Sequence, residues 1–288
     1  DAYRQYGITC MESGKYEDAV KAFQNALGES IGHIGEKELD ICFYKAKAQA
    51  LDGKTKDALA TYNAIIKYNK DARAYYLRGD LYMDMGEEKK GRADFESAVQ
   101  QGKKNYEIYI GIYESLSRHE KKDEGQKYLS AAMEIKGDKP EDELYKGRIS
   151  YLLGENKDAI SYLEKAKEHK QMLASYYLGL AYDANGDSDK AKKCIAEYIK
   201  SGVATSYDLY ELGMQEMQDG NYKNALTYFN SGLELEKVPN KQNLMKSAIA
   251  AYEYSGDFDS AKKMMKEYLK AYPDDEEAKH ENTFLETR

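Results

Sequence analysis

Apolar and polar residues along this chain follow the three- and four-residue spacing of amphipathic helices, and one arrangement of them returns at regular intervals. The segment "SGKYEDAVKAFQNAL", Ser13 to Leu27, is matched by "DGNYKNALTYFNSGL", Asp219 to Leu233. In both segments Gly is followed by Tyr, Ala and Phe at the same positions. A shorter version, "SGDFDSAKKMMKEYL", runs from Ser255 to Leu269. Recurrence at matched spacing indicates that the chain is built from a repeated structural element.

Alignment on the glycine of this segment predicts eight repeats. The aligned positions are Gly14, Gly53, Gly86, Glu120, Gly154, Gly186, Gly220 and Gly256, which lie 32 to 39 residues apart. Most repeats also carry a small residue seven positions before this glycine, a second small residue five positions after it, and a large apolar residue nine positions after it. The fourth repeat is the least regular, with Tyr113 and Glu120 where the other repeats favour small residues.

This pattern predicts two helices of about 12 to 14 residues in each repeat, joined by a turn. Gly at the turn can adopt the left-handed conformation that ends the first helix. Small residues let the two helix backbones approach closely, and the large residue is expected to fill the space between neighbouring hairpins. Pro140, Pro239 and Pro273 all fall between repeats, where they interrupt no helix. Since a single repeat cannot bury its own apolar face, the repeats are expected to stack.

This combination of spacings closely resembles the tetratricopeptide repeat, a helix-turn-helix element of 34 residues. The resemblance extends over essentially the whole chain. It implies an all-α fold, a right-handed α-α superhelix (solenoid) whose first helices line a concave groove, with one domain over residues 1–288 and a polar capping helix over 274–288. The approximate repeats are 1–38, 39–71, 72–105, 106–139, 140–171, 172–205, 206–238 and 239–273.

The composition narrows the classes of function. No apolar segment approaches the ~18 residues that a membrane-spanning helix needs, so the chain is expected to contain no membrane span. The net charge of −8 repels phosphate backbones, which disfavours nucleic acid as a partner, including RNA bound by related helical repeats. Tyrosine occurs 28 times beside no tryptophan, and its ring can be buried while its hydroxyl stays in water. This property suits thin, layered structures with much half-buried surface.

No arrangement of residues predicts catalysis, a metal site or a cofactor site. The histidines, His33, His119, His169 and His280, are far apart in sequence and form no ligand pair at helical spacing. The tripeptide "GKT", Gly53 to Thr55, resembles the end of a phosphate-binding loop, but Ala48 replaces the glycine that such a loop needs five residues earlier. The chain is therefore predicted to be no enzyme and to bind neither a metal nor a cofactor.

Cysteine usage and the first residue bear on the cellular compartment. Cys10, Cys42 and Cys194 are an odd, scattered set within apolar helical patterns, so buried free thiols are expected in place of a disulfide framework. The chain opens at Asp1 inside a repeat, without an initiator Met or an apolar leader, as expected for a processed or truncated piece. Both a cytoplasmic location and export with a removed upstream signal or lipid anchor stay open.

In the tetratricopeptide family the first helix of each repeat faces the groove, and the matching positions here predict two surfaces. The N-terminal surface carries mixed charges and two aromatic rings: Arg4, Asp40, Phe43, Lys47, Arg73, Tyr76, Asp80, Asp84, Glu107, Glu114 and Arg118. The C-terminal surface is richer in apolar and aromatic residues: Leu144, Arg148, Tyr151, Tyr176, Leu180, Tyr207, Tyr210, Met214 and Met217. These nine residues are the predicted peptide-binding groove, because Tyr and Met are frequent in protein interfaces. Within it, Arg148 is expected to be able to pair with a carboxylate. The alternative, that several of the nine only pack between repeats, stays open.

Three functions are compatible with these observations. The first is a non-catalytic protein-interaction scaffold that binds a peptide or protein segment in its concave groove. The second is an envelope-associated lipoprotein or assembly component, with an anchor upstream of Asp1. The third is a ligand-sensing regulatory domain, which requires a closed pocket in place of an open groove. A hydrolase would need a compact acid–base pair that the pattern does not provide.

Overall fold

The structure is a computed structural model that describes residues 2–29, 34–137 and 139–288. Over these residues the backbone forms helices joined by short connections, without a strand. The helices of the described residues are α1 (Ala2–Glu12), α2 (Tyr16–Gly28), α3 (Glu36–Leu51), α4 (Thr55–Asn69), α5 (Ala72–Asp84), α6 (Glu88–Gln101), α7 (Tyr106–Arg118), α8 (Lys122–Met133), α9 (Pro140–Leu153), α10 (Asn156–Glu168), α11 (Leu173–Ala184), α12 (Ser188–Lys200), α13 (Ser206–Gln218), α14 (Tyr222–Leu233), α15 (Lys241–Tyr254), α16 (Phe258–Ala271) and α17 (Glu276–Glu286).

These helices divide between two compact modules. The N-terminal module comprises Asp1–Lys200 with α1 to α12, and the C-terminal module comprises Ser201–Arg288 with α13 to α17. Consecutive helices pair as hairpins, one pair in each predicted repeat, and α17 falls in the predicted capping segment. The all-helical fold is therefore confirmed, whereas a single domain over residues 1–288 stays a prediction.

The first helix of the second predicted repeat, α3, begins at Glu36, three residues before the approximate boundary at residue 39, and a side chain caps its first turn. Glu38 folds back over the first turn of α3, and its Oε2 accepts a hydrogen bond from the backbone N–H of Gly35 at 2.8 Å. This contact satisfies one of the amides that a helix start leaves unpaired. Residues 30–33, with His33 and part of the long connection before α3, lie outside the described residues.

The turn inside each hairpin has the predicted left-handed backbone. The seven glycines at the aligned position have φ between 70° and 84°, a region that residues with a Cβ rarely occupy. In the fourth repeat Glu120 takes this conformation, with φ of 61°. Its backbone N–H donates to the carbonyl of Ser117, as in a helix C-terminus. "GKT" is likewise a turn, with Gly53 between the end of α3 and the start of α4.

The two helices of a hairpin approach closely where both carry a small residue. In the third repeat a Cβ on Gly79 would lie 3.0 Å from the carbonyl oxygen of Gly91 and 2.8 Å from Cδ1 of Phe95. A larger residue would push the helices apart, so the predicted close backbone approach is confirmed. In the fourth repeat the roles are exchanged: Tyr113 is buried on the first helix, and a Cβ on Gly125 would lie 3.1 Å from its ring.

The large residue of each repeat packs first within its own hairpin. In the first repeat the Phe23 ring lies directly over Gly7, where an added Cβ would be 2.6 Å from Cε1. The same ring then stacks on Tyr44 of the next hairpin, with centroids 5.7 Å apart. The sequence predicted that this residue fills the space between hairpins, and it also packs inside its own hairpin. It joins both helices of one repeat to the first helix of the next.

The apolar core of the C-terminal module ends at α17. Ala278 and Leu285 of α17 are buried against Ile249 of α15 and Met265 of α16. The remaining α17 side chains are mostly polar and face solvent. This helix therefore covers apolar surface of α15 and α16, and its role as a capping helix stays a prediction.

Candidate functional site

The predicted mixed-charge surface of the N-terminal module consists largely of contacts between successive first helices. Arg4 of α1 donates through Nε and Nη2 to Oδ2 of Asp40 in α3, at 2.9 and 2.6 Å. Arg73 of α5 places its guanidinium carbon 4.0 Å from the centre of the Phe43 ring in α3. The charged and aromatic residues predicted from the sequence thus join α1 to α3 and α3 to α5.

The same arrangement continues from α5 to α7. Arg118 donates through Nη2 to Oδ1 of Asp80 at 2.5 Å, and Nε2 of His119 lies 3.1 Å from Oδ1 of Asp84. More than half of the Arg118 side chain is exposed, so its ion pair is screened by water. The sequence pattern did not predict His119, because it directly follows Arg118, the last residue of the predicted helical stripe on α7.

Arg148 of α9 connects to α7 through two glutamates. Its Nη2 donates to Oε1 of Glu114 at 2.9 Å, and its Nη1 lies 3.4 Å from Oε2 of Glu107. Its guanidinium also lies over the ring of Tyr177 in α11, 5.5 Å from the ring centre. A carboxylate from a partner would have to displace one of these glutamates, and the net negative charge of the three groups opposes it.

These contacts form one series, which we name the first-helix ladder. Its members are the contacts Arg4–Asp40, Phe43–Arg73, Asp80–Arg118, Asp84–His119, Glu107–Arg148 and Glu114–Arg148. Each contact links a first helix to the first helix of the following repeat or, for His119, to the residue directly after that helix. Most of the predicted charges of this surface therefore already have partners within the chain.

The nine residues of the predicted groove are divided between the two modules. Patch N, in the N-terminal module, consists of Leu144, Arg148, Tyr151, Tyr176 and Leu180. Leu144 is only 8% exposed and packs in a core cluster with Leu178. The Tyr176 ring contacts two other rings, Tyr177 at 5.1 Å and Tyr198 at 5.2 Å between centroids. Leu144 therefore belongs to the core, whereas Tyr151, Tyr176 and Leu180 are half-buried at its edge.

Patch C, in the C-terminal module, consists of Tyr207, Tyr210, Met214 and Met217, all on α13. Tyr207 is 55% exposed. Tyr210 tilts against the Phe229 ring of α14 at 6.2 Å, and Ser247 of α15 contacts the Met214 sulfur at 3.6 Å. Tyr207 thus presents its ring to solvent, and the other three are half-buried between α13 and its neighbours.

Sequence reasoning missed a polar cluster that fastens α17. Lys246 of α15 lies 2.8 Å from Oδ2 of Asp275, and the Tyr268 hydroxyl of α16 donates to the same oxygen at 2.5 Å. Asp275 also caps α17 by accepting from the N–H of Ala278 at 3.1 Å. Hydrogen bonds from Lys246, Tyr268 and Ala278 hold the pKa of Asp275 well below its usual range. The acidic start of α17 was visible in the sequence, but its partners on α15 and α16 were not.

A second acidic group lies two turns further along α17. Glu253 of α15 and Glu281 of α17 line a cavity of about 280 Å³ between α15, α16 and α17. Oε1 of Glu253 is buried without a hydrogen-bond partner among the described residues. Burial, followed by the charge and hydrogen bonding of Glu281, raises the pKa of Glu253 to about 7.

Several predicted features concern metals, thiols and membranes. The three cysteines are free, with Cys10 and Cys194 buried and Cys42 half-buried, as expected. Burial raises the pKa of the Cys42 and Cys194 thiols. Within residues 2–29, 34–137 and 139–288, no cluster of three or more His, Cys, Asp or Glu residues is arranged to hold a metal ion. No helix in this part of the chain has the length and apolar character needed to cross a bilayer.

Family comparisons agree with the helix hairpins and their turns. Two family models, both described as tetratricopeptide repeat, match the chain, one at residues 7–65 and 43–106 and the other at 173–201 and 242–275. The chain belongs to the tetratricopeptide repeat family. Proteins of this family generally act as non-catalytic scaffolds for protein–protein interaction, so the fold of this tetratricopeptide repeat protein supports a protein partner.

Solved structures resemble this chain at low sequence identity, and the first of them supports the repeat fold. A tetratricopeptide repeat protein from Parabacteroides merdae is 12% identical, with a TM-score of 0.51 over 87% of this chain and 97% of that one. PilW, a type IV pilus biogenesis factor, is 18% identical over 73% of this chain and 97% of its own, with a TM-score of 0.47. The C-terminal part of a repeat protein from Cytophaga hutchinsonii is 14% identical over 84% and 98%, with a TM-score of 0.41. No curated protein matches the chain by sequence.

Proposed function

We propose that this tetratricopeptide repeat protein is a non-catalytic scaffold that holds a peptide segment of a partner protein against its first helices, principally at patch C. The observation that carries this proposal is the row of apolar side chains on α13. Tyr207, Tyr210, Met214 and Met217 follow one another at intervals of three, four and three residues, so they lie along one side of the helix. All four keep part of their surface exposed.

Such a row suits the recognition of a partner segment by its apolar side chains. Extended and helical peptides commonly insert a few apolar anchors into a surface of this kind. Most charged side chains of the first-helix ladder are already paired within the chain, so few of them are available to a partner. The four side chains of patch C are uncharged, so no ion pair within the chain occupies them. Patch N, in the N-terminal module, is a separate and weaker candidate, since Tyr151, Tyr176 and Leu180 are half-buried.

The charge of α13 narrows the chemistry of the partner. The helix carries Asp208, Glu211 and Glu216 and contains no Lys or Arg. A segment with apolar anchors and flanking basic residues therefore complements patch C better than an acidic one. Its association rate is expected to fall as the salt concentration rises, because the charges on α13 are near the surface.

The experiment that tests this function is selection from a phage-displayed library of random peptides, with the full chain as target. Selected peptides are then titrated against wild type, Tyr207→Ala/Met217→Ala and Tyr6→Ala. Tyr6 on α1 is a matched control, because it is 57% exposed, close to the 55% of Tyr207. We expect basic–apolar peptides whose affinity falls about tenfold or more in the patch C variant and stays unchanged in the control. Equal affinity for both variants, or no enriched peptide, would overturn the proposal.

A second candidate function is ligand sensing, which one observation favours. A cleft of about 520 Å³ lies between α2, α3 and α4, within the size range of small-molecule sites. It is lined by apolar groups that include Leu39, Ile65 and Tyr68. A thermal-shift screen of small metabolites tests it. A ligand of this cleft must raise the melting temperature of wild type and lose that effect in Ala64→Phe, which places a ring in the cleft.

A further inference from the structure

Two contacts of opposite electrostatic character lie between α17 and the rest of the C-terminal module. At the start of the helix, Asp275 attracts Lys246 and accepts the Tyr268 hydroxyl. Two turns later, Glu281 faces Glu253 of α15, so like charges meet across the cavity when both are ionised. The first contact fastens the helix, and the second opposes it whenever both carboxyl groups have lost their protons.

The groups around the glutamate pair do not neutralise it. Lys246 also lines the cavity, but its ammonium group is bound to Asp275. Glu277 of α17 lies at the rim, 3.9 Å from the same ammonium group, and its side chain is almost entirely exposed to water. Tyr268, the titratable group from α16, donates its hydroxyl hydrogen bond to Asp275. The other residues that line the cavity are apolar, so they cannot replace the water that would otherwise solvate the two carboxylates.

The other two helices packed against α15 also contribute no charge to this site. α13 reaches α15 through Met214 and Ser247, and α14 reaches it through Asn230 and Tyr252, at 3.4 Å between Nδ2 and the hydroxyl. The charged groups around Glu253 in the described structure are thus Glu281, Glu277 and the already paired Lys246. The protonation state of the glutamate pair therefore changes the local charge without a nearby group to offset it.

We propose that α17 is a pH-sensitive cap, fastened when the Glu253–Glu281 pair shares a proton and loosened when both carboxylates are charged. In the fastened state a carboxyl group of one residue donates to the carboxylate of the other. In the loosened state repulsion weakens the packing of Ala278 and Leu285, which uncovers the apolar surface of α15 and α16. This inference is independent of patch C and of any peptide bound there.

The direction of the effect follows from proton linkage. With α17 in place, the pKa of Glu253 is raised to about 7 from an ordinary value of 4.5. Once α17 separates, the carboxyl group returns to water and to its ordinary pKa. The fastened form therefore binds more protons between these two values. Docking of α17 strengthens as the pH falls from 7 toward 4.5, and it is weakest and constant above 7.

Hydrogen–deuterium exchange of the full chain tests the cap. Protection of α17 is compared with that of α6 at about pH 5.5 and about pH 8, after correction for intrinsic exchange, and we expect about tenfold greater protection of α17 at the lower pH. Glu253→Gln removes the titration, so α17 should be equally protected at both pH values. Glu281→Gln removes the repulsion from the other helix and should act in the same way. Glu267→Gln, an exposed acid on α16, is the matched control and should keep the wild-type response.

Each outcome decides the proposal. Equal protection of α17 in wild type at both pH values would overturn it. A pH response that persists in both Glu253→Gln and Glu281→Gln would overturn it as well. If Glu253→Gln disturbs the cavity and fails to fold, Glu281→Gln decides alone, because the Glu281 side chain lies at the edge of the cavity on the last helix.

Discussion

Glu114 of α7 and Arg148 of α9 lie 34 residues apart in sequence, one repeat length, and their side chains meet at 2.9 Å between Oε1 and Nη2. Groups at equivalent positions of successive first helices are brought together because each hairpin stacks on the next in nearly the same way. Arg4 and Asp40, 36 residues apart, meet for the same reason. The first-helix ladder is thus a direct product of the repeat.

Removal of the Arg148 side chain should destabilise the N-terminal module. Arg148→Ala leaves Glu107 and Glu114 without their shared cation. The Arg148 side chain is only 18% exposed, so water screens its ion pairs less than it screens fully exposed ones, although both glutamates are about half exposed. We expect a decrease of about 1 to 2 kcal/mol in the free energy of unfolding. Urea denaturation followed by circular dichroism measures it.

Arg118→Ala is the matched control for this prediction, because its side chain is 55% exposed in its pair with Asp80. Its effect should remain below about 0.5 kcal/mol. Equal effects of the two substitutions would show that the burial of the Arg148 pair has no energetic consequence.

Gly79→Ala should destabilise the third repeat although it adds one carbon to a helix. The new Cβ would lie 2.8 Å from the Phe95 ring and 3.0 Å from the Gly91 carbonyl. Overpacking of this kind costs about 1 to 3 kcal/mol, more than the helix propensity that alanine adds. Thermal denaturation measures the change, and Gly79→Ala/Phe95→Leu should recover part of it. An unchanged melting temperature for Gly79→Ala would contradict the close approach of α5 and α6.

Glu120→Gly should stabilise the fourth repeat. Glu120 holds a left-handed backbone with φ of 61°, which costs a residue with a Cβ about 1 kcal/mol relative to glycine. Glycine also raises the entropy of the unfolded chain, so we expect a net gain of less than about 1 kcal/mol. The melting temperature should rise, and the reverse change at an equivalent turn, Gly154→Glu, should lower it. A fall in stability for Glu120→Gly would mean that its side chain makes a contact that outweighs the backbone strain.

Asp275→Asn should weaken the docking of α17 at neutral pH and should remove the part of its docking that is lost in acid. The pKa of Asp275 is lowered in the folded protein, so its contribution is present above its ordinary pKa of 3.8 and is lost as the pH falls below it. Exchange protection of α17 should therefore be lower in Asp275→Asn near neutral pH, and the variant should lose little more on acidification. The neighbouring Asp274→Asn, at an exposed position, should behave like wild type. Identical acid responses in both variants would exclude Asp275 as the fastening group.

A large part of the fold could be predicted because it depends on local rules. The glycine at each turn, the small residues between paired helices and the large residue nine positions later can each be identified without a structure, since each reflects burial or backbone conformation inside one repeat. Even Glu120 could be placed in its turn by alignment alone. Most members of the first-helix ladder were also identified as one surface, because they share a helical stripe, but His119 was not predicted and Arg148 was predicted in the other surface.

The candidate site was predicted less completely. Leu144 and Tyr207 belong to the same predicted groove, yet the first is 8% exposed in the core and the second is 55% exposed. Periodicity could not separate them, because it records which side of a helix a residue lies on and not how closely the next helix covers that side. Arg148 was predicted to be available for a partner carboxylate, but Glu107 and Glu114 already contact it.

The sequence by itself determined the family, the helices and their turns, because those depend on interactions within about 34 residues of chain. Only the tertiary structure decided that Arg148 is paired with the chain's own glutamates, that Tyr207 stays exposed, and that Glu253 meets Glu281 across a cavity. The physical reason is distance: the energy of a charge pair or a buried ring depends on separations of a few ångströms between helices, which are set by the packing of whole hairpins and are not encoded in any local pattern.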